Sequence, residues 1–178
     1  MICIICGTNR RDAATEVFAQ HYYNKMKTQA GEVLYLSLAE VPVATFNHDM
    51  YREAGMPEEL KELQDKYIYP ASKFLFVLPE YNGTFPGVFK LFIDAISVRS
   101  NSKNFKGKKV ALAGISDGRA GNLRGMDQVS DFMNYLGAVI MPNRLPFSQV
   151  GKLIEDKTIT DPNTLHLIEN HIVELLNF

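Results

Sequence analysis

The sequence predicts an α/β protein in which an open parallel sheet carries helices on both faces. Short apolar, β-branched runs alternate with amphipathic helical stretches from one end of the chain to the other, the pattern of repeated strand-helix-strand units. The most apolar run, Phe74 to Leu78, shows no polar alternation, as expected of a parallel strand buried on both faces. A length of 178 residues suits one domain, spanning 1–178, with room for a sizeable core.

Ile2 to Cys6 reads as the first strand. A turn of small and basic residues follows, then a helix over Ala14 to Lys27 with Ala14, Phe18 and Tyr22 on one face. Val33 to Leu38 is the second strand. The segment Ala39 to Met56 contains Pro42, Asn47 and Gly55 and has no period, so it reads as a long surface loop. Pro57 suits a first helical position ahead of Leu60, Leu63 and Tyr67. The central strand ends at Pro79, and helix Gly87 to Val98 and strand Lys109 to Ile115 come next. A helix with Met126, Val129, Met133 and Leu136 inward precedes a fifth strand at Ala138 to Met141. Asp161-Pro162 then caps a final helix that turns Leu165, Ile168, Ile172 and Leu175 inward.

Five strands of this kind fit the flavodoxin-like order 2-1-3-4-5, a three-layer arrangement built by right-handed crossovers. Its ligands sit beyond the carboxyl ends of the strands, at the switch point between strands one and three. The loops after Cys6, Leu78 and Ile115 are therefore the places where function is expected.

Composition narrows the classes. Nineteen basic and 20 acidic residues leave a net charge of −1, with no basic run, which argues against a nucleic-acid partner. The longest uncharged stretch, Phe132 to Asn143, is too short and too polar for a membrane span, and the N-terminus lacks the basic start of a secretory signal. A cytoplasmic protein without a membrane partner is the expectation. Cys3 and Cys6 have C-x-x-C spacing, but residues three apart on a strand face opposite ways, so both are expected in the core. The four histidines form no ligand spacing with them, and no metal site is expected.

The loop Gly7-Thr-Asn-Arg-Arg-Asp-Ala-Ala-Thr15 runs into a helix whose first N–H groups lack partners. With Thr8, Thr15, Arg10 and Arg11 nearby, it suits a phosphate, or else it is a plain turn with arginines in water. It matches neither a Rossmann fingerprint nor a P-loop. Pro79-Glu-Tyr-Asn-Gly-Thr-Phe-Pro-Gly87 combines rigid prolines, an Asn-Gly turn and aromatic surface able to flank a planar ring. The third loop, Ser116-Asp-Gly-Arg-Ala-Gly-Asn-Leu-Arg-Gly125, is glycine-rich and permits close backbone approach.

Taken together these loops resemble those of the NADPH-dependent FMN reductases. Pro79-Glu80-Tyr81-Asn82 with Pro86-Gly87, Lys90 and Ile93-Asp94 resembles the family pattern P-E-Y-N-x-x-x-P-G-x-x-K-x-x-I-D, and Gly7-Thr8-x-Arg10 resembles its phosphate loop. Ser116-x-Gly118-Arg119 with Leu123-Arg124 resembles its third loop. The resemblance implies that Thr8, Arg10, the Ala13 position and Thr15 hold the FMN phosphate. Pro79, Glu80, Tyr81 and Asn82 would line the isoalloxazine, and Ser116, Gly118 and Arg119 would close its other side. Ala13 stands where the family usually has Ser, and Thr15 replaces its Asn, so weaker FMN binding is expected. Asp117 near the ring would disfavour the negative charge gained on reduction.

The implied activity is hydride transfer from NADPH or NADH to flavin N5 and then to a quinone, azo, metal-oxyanion or flavin acceptor, by alternating use of one site with no catalytic side chain named. A homodimer or homotetramer is implied, with the flavin near the boundary and an exposed Tyr81 or Phe85 suited to the contact. Two alternatives stand beside this expectation. One is a degenerate member that binds FMN weakly or not at all and serves as a binding protein. The other is a flavodoxin-type electron carrier, against which the weak net charge argues.

Overall fold

Strand β1 (Ile2–Cys6) lies between β2 (Val33–Ser37) and β3 (Lys73–Pro79) in a computed structural model that describes residues 1–178. Strand β4 (Lys109–Ile115) follows on the far side of β3, and every pairing in this sheet is parallel. With β5 (Val139–Ile140) at the far edge, the order β2-β1-β3-β4-β5 is the one expected of a flavodoxin-like sheet. Its registers bring the carboxyl ends level, with Cys6 opposite Ser37 and Val77, and Pro79 opposite Ile115.

Both faces of the sheet are covered. Phe74, Phe76 and Leu78 of β3 face one core with Phe89 and Phe92 of α3 (Gly87–Ile96) and Met126, Val129 and Met133 of α4 (Leu123–Tyr135). The alternate residues Leu75 and Val77 face the other core, against Phe18 and Tyr22 of α1 (Ala14–Gln29) and Ile168, Ile172 and Leu175 of α5 (Pro162–Asn177). Each of these aromatic side chains contributes roughly 1.5–3 kcal/mol by leaving water. Cys3 and Cys6 fall in opposite cores, as their strand spacing required, and burial pushes both thiols well above their ordinary range.

Helices α1 and α5 are also joined by a polar contact. The Tyr22 hydroxyl lies 2.9 Å from Nδ1 of His171, and Nε2 of the same ring lies 3.3 Å from the Asn143 carbonyl. A carbonyl only accepts, so Nε2 carries the proton and Nδ1 accepts from Tyr22. The ring is satisfied while neutral, and burial lowers its pKa.

Three expectations need correction. The fifth strand is split: β5 (Val139–Ile140) pairs with the start of β4, and β6 (Leu145–Phe147) pairs with its end. Pro142 and Asn143 fall in the gap, where a proline cannot extend the ladder. The segment read as a surface loop contains three short 3₁₀ turns and buries Val41, Met50 and Met56. Pro57, expected as a first helical residue, is instead the N-cap of α2 (Glu58–Leu63), which continues as one π turn over Gln64–Ile68, where the buried Gln64 amide donates to the Ile96 carbonyl. An antiparallel hairpin, β7 (Ile154–Glu155) and β8 (Thr158–Ile159), precedes α5 and was not expected.

Candidate functional site

The three loops meet beyond the carboxyl ends of β1, β3 and β4. A cavity of about 210 Å³ there is lined by Arg10, Ala13 and Thr15 from the first loop, Pro79, Glu80 and Tyr81 from the second, and Ser116 from the third. Asp12, Ala14, Ile115, Asp117 and Val150 complete the wall. Seven of the eleven residues assigned to the cofactor in the sequence therefore share one pocket. Gly118 and Arg119 lie in an adjoining groove of about 450 Å³ with Asp117, Gln149, Gly151 and Lys152. Asn82 is exposed at the tip of the second loop.

The first loop presents an open helix end. Ala13 is the N-cap of α1 and offers no side-chain cap, so the first N–H groups of a 16-residue helix have no partner within it. Glu16 in the first turn does not cap them either, because its carboxylate turns to β2 and accepts from the Tyr35 hydroxyl at 2.5 Å and the Ser37 hydroxyl at 2.9 Å. Burial opposes its charge, yet the donors around it hold its pKa below the usual value. A larger cavity of about 490 Å³ lies on that side, but the two polar groups that line it from α1, Glu16 and Gln20, are bonded to each other and Glu16 also to β2.

Thr8 is fully buried, and its hydroxyl is shared: the Arg10 backbone N–H donates to it at 3.1 Å, and the Tyr81 hydroxyl lies 2.6 Å away. The first two loops are thus held together at the switch point. The second loop is shaped by a two-residue turn. Asn82 and Gly83 have φ of 52° and 79°, and Tyr81 and Thr84 exchange backbone bonds around them, the geometry that Asn-Gly adopts readily. Neither Tyr81 nor Phe85 is the exposed contact residue expected from the sequence. Both are half-buried, and Phe85 packs its ring edge on Phe89 and Phe132.

Asn122, unremarked in the sequence, ties the second loop to the third. Its amide donates to the Leu78 and Pro79 carbonyls, both at 3.0 Å, and its backbone N–H donates to the Glu80 carboxylate at 3.1 Å. It holds φ of 60°, a left-handed conformation that Asn tolerates better than most residues. The third loop then folds back over β4, where a Cβ at Gly114 would sit 2.1 Å from the Gly121 carbonyl oxygen. Only glycine permits that approach. Ser116 is 7% exposed, lines the cavity, and its Oγ has no hydrogen-bond partner.

These features suit FMN on the structure's own terms. A buried hydroxyl without a partner and an uncapped helix end open into one cavity, and Arg10 stands at its edge. Donors of this kind match a phosphate and the polar rim of a planar heterocycle. The missing serine at position 13 leaves the N-terminus of α1 with one side-chain donor fewer, but its backbone N–H groups remain.

Comparison with known proteins agrees with the geometry. The sequence model of the family described as NADPH-dependent FMN reductase matches residues 1–152. An NAD(P)H-dependent FMN reductase of Pseudomonas aeruginosa is 30% identical over 131 residues, covering 68% of this chain and 69% of that one. A quinone reductase of Escherichia coli is 30% identical over 140 residues, covering 79% and 70%. Among solved structures, the flavoenzyme NAD(P)H:(acceptor) oxidoreductase FerB of Paracoccus denitrificans superposes with a TM-score of 0.77 at 22% identity, covering 99% and 94%, which supports the shared fold. The chain belongs to the NADPH-dependent FMN reductase family, oxidoreductases that use FMN with NAD(P)H as electron donor.

Proposed function

We propose that residues 1–178 form one domain that holds FMN across the three loops and passes electrons from NAD(P)H to a quinone or another small acceptor. The observation that carries this assignment is the convergence of the open N-terminus of α1 and the unpartnered Ser116 hydroxyl in one cavity. In this assignment Arg10, Thr15 and the backbone at Ala13 hold the phosphate, and Thr8 holds Tyr81 in place beside them. Pro79, Glu80, Tyr81 and Asn82 form one wall for the isoalloxazine, with Ser116, Gly118 and Arg119 on the other side.

When bound, FMN supplies the hydride chemistry, accepting from a nicotinamide and delivering to an acceptor. The protein's share is position and charge. Asn122 fixes the Pro79–Glu80 backbone through two carbonyls, so the wall of the site is set before any ligand arrives. Asp117, exposed at the cavity wall, opposes added negative charge nearby. Donor and acceptor would use the same face of the site in turn.

The test is direct. Purified protein titrated with FMN quenches flavin fluorescence, and with NADPH and a soluble quinone it oxidises the nicotinamide in steady state. Arg10→Ala is expected to weaken FMN by about five- to tenfold, a charge-assisted contact discounted for exposure. A protein that binds no FMN at millimolar concentration is the degenerate form instead, and reduction only through a partner reductase marks an electron carrier.

A homodimer or homotetramer in the cytoplasm completes the proposal. Tyr135 is 89% exposed on α4 and Leu91 on α3 is also exposed, apolar surface that a second copy would cover. Two unpaired buried thiols agree with a reducing compartment, and no helix is long and apolar enough to cross a membrane. Light scattering after size exclusion reads the oligomer.

A further inference from the structure

Resting on the FMN assignment above, we propose that Lys157, at the tip of the β7–β8 hairpin, is a phosphate-binding residue of the site and supplies the donor that Ala13 lacks. The hairpin follows the residues matched by the family model, which end at 152. It is firmly placed. Ile159 is 3% exposed in the core that also holds Phe18 of α1, and the Thr160 N–H donates to the Leu153 carbonyl at 3.0 Å across the base of the hairpin.

The tip is built at a conformational cost. Asp156 and Lys157 have φ of 47° and 58°, the left-handed pair of a tight hairpin turn, without the glycine or asparagine that usually relieves it. That turn sets the Lys157 ammonium 2.9 Å from the Asp12 carboxylate, 145 residues away in sequence. Asp12 is itself left-handed, with φ of 53°, and lines the cavity beside Arg10, Ala13 and Thr15. Two strained residues on separate, exposed segments thus meet: Asp12 lines the pocket that contains the open end of α1 and the unpartnered Ser116 hydroxyl, and Lys157 reaches Asp12 from a cavity of about 320 Å³ further along α1.

Charge explains why a lysine belongs there. A carboxylate beside a phosphate dianion repels it, and Asp12 sits among the residues assigned to that phosphate. An ammonium has three donors on a flexible four-carbon stem, so Lys157 can keep Asp12 while another of its protons meets a phosphate oxygen. Lys157 then offsets the acidic residue and adds a donor at once.

The experiment titrates the full-length wild type, Lys157→Gln, Asp12→Asn and, as a charge control at the other end of α1, Lys27→Gln. Each is titrated with FMN and with riboflavin, which lacks the phosphate, by fluorescence quenching at two salt concentrations. Lys157→Gln is expected to weaken FMN about fivefold, leave riboflavin within about twofold, and flatten the salt dependence for FMN. Asp12→Asn is expected to tighten FMN. An unchanged FMN-to-riboflavin ratio in Lys157→Gln overturns the proposal, as does an equal loss in Lys27→Gln. A loss in Asp12→Asn matching that of Lys157→Gln also overturns it, by showing that the pair only straps the loop. If the wild type does not prefer FMN to riboflavin at all, the phosphate pocket itself is wrong and both assignments fail together.

Discussion

Replacing Ser116 with alanine separates a ligand-facing hydroxyl from a structural one, because the two roles give stability changes of opposite sign. Ser116 is 7% exposed and its Oγ meets no partner in the protein. A buried hydroxyl left without a hydrogen bond costs about 1–3 kcal/mol, and removing the atom recovers part of that cost. The lower end, about 1 kcal/mol, corresponds to a rise of roughly 2–4 °C in the unfolding midpoint for a chain of this size. The ligand-free variant is therefore expected to melt higher than the wild type. FMN binding is expected to weaken about five- to tenfold, the loss of one hydrogen bond inside the site. Thermal unfolding with and without FMN, together with a quenching titration, reads both effects on one preparation. A lower midpoint without ligand would show that the hydroxyl is bonded within the fold, and unchanged affinity would remove it from the site. Either result refutes the argument.

Other expectations follow from the same geometry. Ala13→Ser places a hydroxyl at the uncapped start of α1, where the backbone already has the extended conformation of an N-cap, and is expected to raise stability by about 1 kcal/mol in chemical denaturation; a loss would mean that the buried Ala13 methyl is packed too closely. Asp117→Ser is expected to raise the two-electron potential of bound flavin in a dye-equilibration titration, and an unchanged potential would show that the carboxylate faces solvent away from the ring. Burial lowers the pKa of His171, so the unfolded chain takes up a proton there first as pH falls. Stability is consequently expected to decline as pH drops below about 6.5, the unfolded histidine value, with His21 shifted in the same direction. His171→Gln should flatten that decline in denaturation curves taken between pH 7 and 5.

Much of this site is local in sequence, and that is why it could be read there. Gly7 to Thr15 is a strand end running into a helix, Asn82-Gly83 announces its turn, and Pro79 ends an apolar run, each a feature of consecutive residues. Sheet order followed from strand-helix alternation, which needs no knowledge of contacts. What escaped depends on distant partners. Asn122 acts on carbonyls 43 and 44 residues earlier, Thr8 meets Tyr81 across 73 residues, and the Asp12 to Lys157 pair spans 145. The hairpin was invisible for another reason. Its strands are two residues each, too short for any period, and its turn uses Asp156 and Lys157 where glycine would have given a signal. The surface loop after β2 was misjudged because Val41, Met50 and Met56 are buried one by one, at no helical or strand spacing.

The divided fifth strand bears on how this protein behaves when concentrated. A sheet's outermost strand normally offers a row of free amide and carbonyl groups on which a foreign strand can grow. Here that row is interrupted. Between Val139 and Phe147 the ladder stops and restarts, Pro142 and Pro146 have no N–H to give, and Arg144 stands between them paired to Asp127. An incoming chain would find two or three matching groups before losing register. The same break that bends Asn143 toward His171 thus leaves this border of the sheet a poor template for fibrils, and aggregation by edge pairing should start, if anywhere, at β2 on the opposite side.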